Sequence, residues 1–189
     1  MVQAVIFDLY GVLAMNGWQA FKAAHFSSRE DIWDHIYRLS RLVDAGLASY
    51  DDLVRYTAEQ SGESESTVRY QMEHSESNIE LLEYIAAELK GRYRLAILSN
   101  SRNDDAIDGL FTADQRAMFD DIILSHHLGL FKPDLRMYLA AAERLGVPPE
   151  ACVFVDDREH HAAGAREAGM QALIYVNLTR LKHDLAAVL

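Results

Sequence analysis

The chain is punctuated by short runs that are apolar on successive positions and end in polar residues. The first is Val5-Ile6-Phe7, ending at Asp8; Leu95-Ala96-Ile97-Leu98 ends at Ser99-Asn100, and Asp121-Ile122-Ile123-Leu124 ends at Ser125. Val153-Phe154-Val155 ends at Asp156-Asp157, and Ala172–Val176 is the last. Runs without polar alternation read as parallel strands covered on both faces. Between them the apolar spacing is helical. Ile32, Ile36, Leu39 and Val43 form one set, with Ser28 as N-cap and Gly46 as stop. A second helix starts at Ser49, runs through Leu53, Val54 and Tyr56 and closes near Gly62; Ser64 caps a third with Val68 and Met72. Ile79, Leu82, Ile85 and Leu89 mark a fourth, ending at Gly91. Leu135, Leu139, Ala142 and Leu145 precede Gly146, an Ala-rich charged segment runs to Gly169, and Leu181, Leu185 and Val188 mark a terminal helix.

Strands alternating with helices predict an α/β fold: a Rossmann-like parallel sheet with helices on both faces and right-handed crossovers. No strand is expected between Met15 and Gly91. Residues 1–14 and 91–189 therefore read as the α/β core and residues 15–90 as a small all-helical insert, whose last helix could serve the core as a crossover.

In a parallel sheet, the carboxyl ends of the strands share one edge, where ligands bind. That edge would gather Asp8, Ser99, the Asp156-Asp157 pair and Lys132, from a Gly-containing loop. Crowded carboxylates repel one another unless a cation neutralises them. Lys132 supplies one charge, and a hard, oxygen-seeking ion such as Mg²⁺ would supply the rest. A cation, a lysine and a hydroxyl donor suit a phosphoryl group.

These stretches resemble, in order, the motifs of the haloacid dehalogenase-like hydrolases, a superfamily made up mostly of phosphatases. Asp8-Leu9-Tyr10-Gly11-Val12 is similar to the first motif, and Leu95–Asn100 to the second. Gly129-Leu130-Phe131-Lys132-Pro133-Asp134 is similar to the third; Val153–Asp157, with Gly164-Ala165 and Gly169-Met170 after it, is similar to the fourth. Asp44–Ser49 resembles a stretch of the family's helical cap, which identifies the insert as that cap.

The resemblance implies that Asp8 is a nucleophile forming an aspartyl-phosphate, that Ser99 hydrogen-bonds phosphoryl oxygens, and that Lys132 holds Asp8 and offsets negative charge. It places Mg²⁺ on Asp8, Asp157, Asp156 (directly or through water) and the backbone carbonyl of Tyr10. Asn100 joins Ser99 and Lys132 at the substrate, or shapes the second-strand loop. Tyr10 departs from the phosphatase pattern, which has a second Asp there. Tyr10, Ser99, Asn100, Lys132 and Tyr138 fit a 2-haloacid dehalogenase instead. Val12 and the Asp156-Asp157 pair oppose that alternative, because two carboxylates without a metal would repel a haloacid. A third alternative is a non-catalytic binding or regulatory protein. The implied partner is a small phosphorylated metabolite, and a homodimer stays open.

Composition changes this picture little. The 189 residues suffice for one domain with an insert, and half are hydrophobic. A net charge of -11 disfavours nucleic acid and anionic membrane as partners. The single cysteine, Cys152, opens an apolar run and reads as core, and no apolar run has the length of a membrane span. With a first strand almost at Met1, no signal peptide is expected, and the expectation is a cytoplasmic protein. His126-His127 and His160-His161 lack the i, i+4 spacing of helical zinc ligands and read as surface or rim residues, with His161 at the site edge. Arg38 and Arg41 share a helix face that reads as solvated; Trp18 and Phe21 could line an entrance, and Trp33, Tyr37 and Tyr56 read as core of the insert.

Overall fold

A computed structural model of the chain describes all residues except Ala45, Gly46, Arg102 and Asn103, with Asn16, Gln19, Arg41, Asp44, Asp105 and Ala106 described by their backbone alone. The chain begins with β1 (Ala4–Phe7) and β2 (Ala14–Asn16), followed by α1 (Gly17–Phe26), α2 (Glu30–Asp44), α3 (Tyr50–Ser61), α4 (Glu65–Glu73) and β3 (Ser75–Ser77). Next come α5 (Ile79–Tyr84), a π-helical turn over Ile85–Leu89, β4 (Arg94–Ser99), α6 (Asp105–Leu110), α7 (Ala113–Arg116) and β5 (Asp121–Leu124). The remainder is α8 (Ser125–Leu128), α9 (Leu135–Leu145), β6 (Cys152–Asp156), α10 (Glu159–Glu167), β7 (Gln171–Ile174) and α11 (Leu178–Val188). Two compact units result: Met1–Ala14 with Ser77–Leu189, and Met15–Glu76.

The first unit is built on a five-stranded sheet in the order β5-β4-β1-β6-β7, and its paired strands run parallel. All four residues of β1 are fully buried, as a central strand with no polar alternation requires. Strand alternation sorts the core into two layers. Val5, Phe7, Leu95, Ile97, Val153 and Val155 face Leu81, Leu82 and Ile85 from the α5 segment and Leu181 and Leu185 of α11. Ile6, Ala96, Leu98 and Phe154 face Met137, Tyr138 and Ala141 of α9 and Ala165 of α10. Helices thus cover both faces. Each fully buried large side chain contributes about 1.5–3 kcal/mol.

The helix of Ile79–Leu89 belongs to the sheet unit, held at its start by Asn78, whose Oδ1 accepts from Leu81 N and whose Nδ2 donates to Val12 O at 2.9 Å. The second unit packs Phe21, Phe26, Ile36, Leu53, Val54 and Val68 into its own core, with Trp18, Trp33 and Tyr56 against them. Trp18 stacks on Phe21 with centroids 5.6 Å apart. Ser64 caps α4 through Thr67 N at 3.1 Å, and Gly62 closes α3 at φ +78°. Ser49 precedes α3 without a side-chain bond to it. The Gly46 stop and the centre of the Asp44–Ser49 stretch lie outside the described residues, as does the Arg41 side chain; Arg38 is exposed.

One expectation needs correction. Strands β2 and β3 lie where none was expected, so the segment between Met15 and Gly91 is not wholly helical. The two pair with each other, Ala14 also bridging Tyr10, and are three residues long, too short to show a period in sequence.

Candidate active site

Register builds the site before any side chain is considered. Phe7 is paired with Ile97 on one side and Val155 on the other, so the next residue, Asp8, stands level with Asp156. Asp8 N continues the ladder by donating to Val155 O at 2.8 Å. The alternation that turns Ile6 and Phe154 toward α9 and α10 also puts Asp8 and Asp156 on that face.

Lys132 lies between these carboxylates. Its Nζ is 2.7 Å from Asp8 Oδ1 and 2.8 Å from Asp156 Oδ2, and the side chain is 1% exposed. A buried ammonium without partners would cost several kcal/mol; here two carboxylates and the Phe154 ring, 5.2 Å from Nζ, surround it. Asn100 holds the lysine backbone from both sides. Its Nδ2 donates to Lys132 O at 3.1 Å, and Lys132 N donates to its Oδ1 at 2.8 Å. Both ends of the Asn100 amide therefore position Lys132.

Asp156 is the most heavily bonded carboxylate. Besides Lys132, it receives Arg158 N on Oδ1 at 2.9 Å and faces His161 Nδ1 at 3.0 and 3.1 Å. Burial opposes its ionisation, yet the Lys132 ammonium and the His161 hydrogen bond hold it below the usual carboxylate range. Burial pushes the His161 imidazole down to about 4, so at neutral pH the ring is uncharged and its Nδ1–H donates to Asp156. Tyr138 closes the shell by donating from its hydroxyl to His161 O at 2.8 Å. His161, 4% exposed, is thus a buried residue and not a rim histidine. Its reading at the site edge missed the burial, because α10 starts just after β6 and its first turn stays under the sheet edge. The donor atoms of Asp8, Asp156 and His161 lie within 4.8 Å of one another. The cation serving these carboxylates is already Lys132.

The other side of Asp8 is differently furnished. Burial pushes its carboxyl up to about 7 against the pull of Lys132, with Asp156 and Asp157 adding to the rise. The following turn is tight: Gly11 N donates to Ala14 O and Ala14 N to Leu9 O, each at 2.8 Å. Gly11 has φ +88°, and a Cβ there would stand 2.5 Å from Asp157 Oδ2. Glycine therefore lets both the turn and the Asp157 carboxylate fit. Burial, then Asp156, raises the Asp157 pKa against the pull of Arg158. Among the described residues, two buried side-chain atoms lack a hydrogen-bond partner: Ser99 Oγ and Asp157 Oδ1. Arg158 Nε lies 3.9 Å from the latter. Tyr10 is half-buried against the core beside β1. Gly164 of α10 has no room for a side chain, since a Cβ would meet Pro133 O at 2.8 Å.

The comparisons with known proteins agree with this architecture. The model of the haloacid dehalogenase-like hydrolases matches residues 2–169. Over all of this chain, drimenol cyclase of Aspergillus calidoustus is 27% identical, although the chain spans only 37% of that protein's length. Next to it, the chain spans 44% and 63% of a Methanothermobacter glyceraldehyde 3-phosphate phosphatase and a Mycobacterium tuberculosis phosphatase. A phosphorylated carbohydrates phosphatase of Thermotoga maritima is 24% identical, over 91% of this chain and 84% of its own. An (S)-2-haloacid dehalogenase of Pseudomonas putida is 26% identical, over 89% and 83%. Among solved structures, a HAD-family enzyme of Bacteroides thetaiotaomicron in complex with magnesium and inorganic phosphate superposes with a TM-score of 0.61 at 21% identity, over 96% of this chain and 99% of that one. The parallel sheet, the ordered motifs at its carboxyl edge and the family match over most of the length lead to one conclusion: the chain belongs to the haloacid dehalogenase-like hydrolases.

Proposed function

We propose that the chain is a Mg²⁺-dependent phosphatase that hydrolyses a small phosphorylated metabolite through an aspartyl-phosphate on Asp8. The observation that carries this reading is the pair of unpartnered buried atoms. Ser99 Oγ is a donor lacking an acceptor, which suits a phosphoryl oxygen. Asp157 Oδ1 is an anionic acceptor lacking a donor, which suits a hard cation. The residues fit Mg²⁺: Asp8, Asp157 and the Tyr10 carbonyl would hold it, while Asp156, saturated by Lys132, His161 and Arg158 N, supplies charge rather than a ligand. Bound there, the ion would keep the carboxylates ionised and neutralise phosphoryl oxygens.

Asp8 attacks phosphorus; the bond to the leaving oxygen breaks with its electron pair, and that oxygen takes a proton from Tyr10 or from water. Lys132 fixes the Asp8 carboxylate and offsets charge on the phosphoryl group, and Ser99 donates to it. Water then attacks the aspartyl-phosphate at phosphorus, which releases phosphate and restores Asp8. The helical unit of Met15–Glu76 serves in this reading as the cap that selects substrate.

The curated relatives include phosphatases and 2-haloacid dehalogenases, and Tyr10 favours the second reaction. It is the alternative reading, with the same nucleophile attacking carbon. The test is a panel of phosphorylated metabolites and 2-haloacids, assayed with Mg²⁺ and with EDTA. Phosphate release that needs Mg²⁺ and disappears in Asp8→Asn is expected. Halide release persisting in EDTA, with no phosphate release, overturns the proposal.

A further inference from the structure

A second cluster of metal-capable side chains lies in the sheet unit, outside the candidate active site. Asp104, in the segment after β4, and His126 and His127, on α8, have donor atoms within 4.8 Å of one another. His127 Nε2 is 3.0 Å from Asp104 Oδ1 and 3.2 Å from Oδ2, and His126 Nε2 is 3.5 Å from Oδ2. Around a four-coordinate first-row ion with bonds of about 2.0 Å, ligand atoms stand about 3.3 Å apart. Each imidazole already stands near that spacing from the carboxylate.

The second observation concerns the far side of the His126 ring. His126 Nδ1 lies 3.1 Å from Ser101 O, a carbonyl that can only accept. Nδ1 therefore donates to that carbonyl, which leaves Nε2 as the nitrogen facing the Asp104 carboxylate. A cation belongs between that nitrogen and the carboxylate oxygen, either a proton or a metal ion. A ring N–H anchored on a backbone carbonyl is also what orients metal-binding histidines. The anchor is itself fixed: Ser125 Oγ donates to Ser101 O at 2.9 Å and accepts from Ser101 N at 3.0 Å. Asp104 makes no side-chain cap for α6, so its carboxylate is turned to the histidines, and the His127 hydrogen bond, foremost, holds its pKa below the usual range.

We infer that Asp104, His126 and His127 form a surface site for a divalent transition-metal ion of the Zn²⁺, Ni²⁺ or Co²⁺ class, with at least one position left for water. Two nitrogen donors select such ions over Mg²⁺, which prefers oxygen. The site is separate from the Mg²⁺ ligands proposed above and does not depend on them. A bound ion would tie Asp104 to α8.

The experiment is isothermal titration of the full chain with Zn²⁺ in saturating Mg²⁺, which occupies the oxygen site. One Zn²⁺ is expected to bind, and His126→Ala and His127→Ala should each weaken it by at least about tenfold. Asp104→Asn, which keeps the shape, should weaken it as well. With Co²⁺ as probe, the visible absorption of a nitrogen-ligated ion should appear in the parent and vanish in the double histidine variant. Zn²⁺ affinity unchanged in the folded double variant, or a Co²⁺ spectrum identical to that of the parent, overturns the inference and leaves a plain carboxylate–imidazole contact.

Discussion

Two carboxylate–imidazole contacts in this protein have nearly the same length and opposite surroundings. His161 meets Asp156 at 3.0 and 3.1 Å with the carboxylate wholly buried. His127 meets Asp104 at 3.0 and 3.2 Å with that side chain 61% exposed. In the buried pair, desolvation dominates: the imidazole is neutral at pH 7, and the charge that balances Asp156 comes from the tethered Lys132 ammonium. In the exposed pair, water carries most of the cost, no lysine pairs with Asp104 among the described residues, and under the inference above the centre is open to an exchangeable ion. Burial, not contact distance, decides whether a cation must be part of the chain.

The largest effect should come from the buried cluster's chemistry. Under the proposed mechanism, Asp8→Asn keeps the shape and removes the attacking oxygen's charge, so phosphate release should fall by roughly a thousandfold or more. Retained turnover would remove Asp8 from the centre of the comparison.

Lys132→Met tests the tethered cation directly. It leaves Asp8 and Asp156 buried without their ammonium, and urea denaturation should show a loss of about 3–5 kcal/mol. His127→Ala should leave the urea midpoint unmoved, since solvent replaces the contact. Equal effects would mean that burial is not what separates the two clusters.

Acid titration sharpens the contrast further. The His161 pKa is depressed in the fold, so the unfolded chain binds the extra proton first. Stability supplied by the neutral ring is present above the unfolded value of about 6.5 and is lost as pH falls toward the folded value of about 4. The loss is at most on the order of 3 kcal/mol. In His161→Asn that part of the acid limb should be absent, as read from urea midpoints at neutral and acid pH. Parallel acid limbs in the two proteins would refute the assignment of a neutral buried imidazole.

Gly11→Ala and Gly62→Ala separate backbone strain from crowding at the site. Both have positive φ, +88° and +78°, and each should lose about 1–2 kcal/mol. The Cβ at residue 62 meets nothing within 4 Å, whereas that at 11 meets Asp157 at 2.5 Å. Mg²⁺ affinity, measured by titration, should therefore fall only in Gly11→Ala.

The smallest change concerns the proton on the leaving group. A phenol hydroxyl titrates near about 10 and is a weak acid for this task. Turnover should rise steeply with leaving-group acidity across aryl and alkyl phosphates, and Tyr10→Asp should flatten that dependence. Identical slopes would assign the proton to another group.

Much of this was legible in the chain. The β1, β4, β5 and β6 runs are apolar without alternation, which only a two-sided burial explains, and their polar ends named Asp8, Ser99, Asp156 and Asp157. Lys132 was legible as the charge such acids need. His161 was legible only as a residue of the site edge; its burial was not, because a histidine pair with no ligand spacing carries no sign of it, and only the helix starting directly after β6 put it under Asp156. The role of Asn100 was equally hidden, since its two bonds go to backbone atoms 32 positions away.

Periodicity is a local property, so the sequence by itself determined the alternation of strands and helices, the two-layer core and the set of residues at the strand ends. Strand order, register and burial are properties of chain segments far apart in sequence. They decided that Asp8 stands level with Asp156, that Lys132 bridges the two and that Asp157 closes on Gly11. They also decided which histidine is sealed from water and which two stay at the surface beside Asp104. A titratable group's charge depends on its desolvation and its neighbours, and both exist only once the chain has folded.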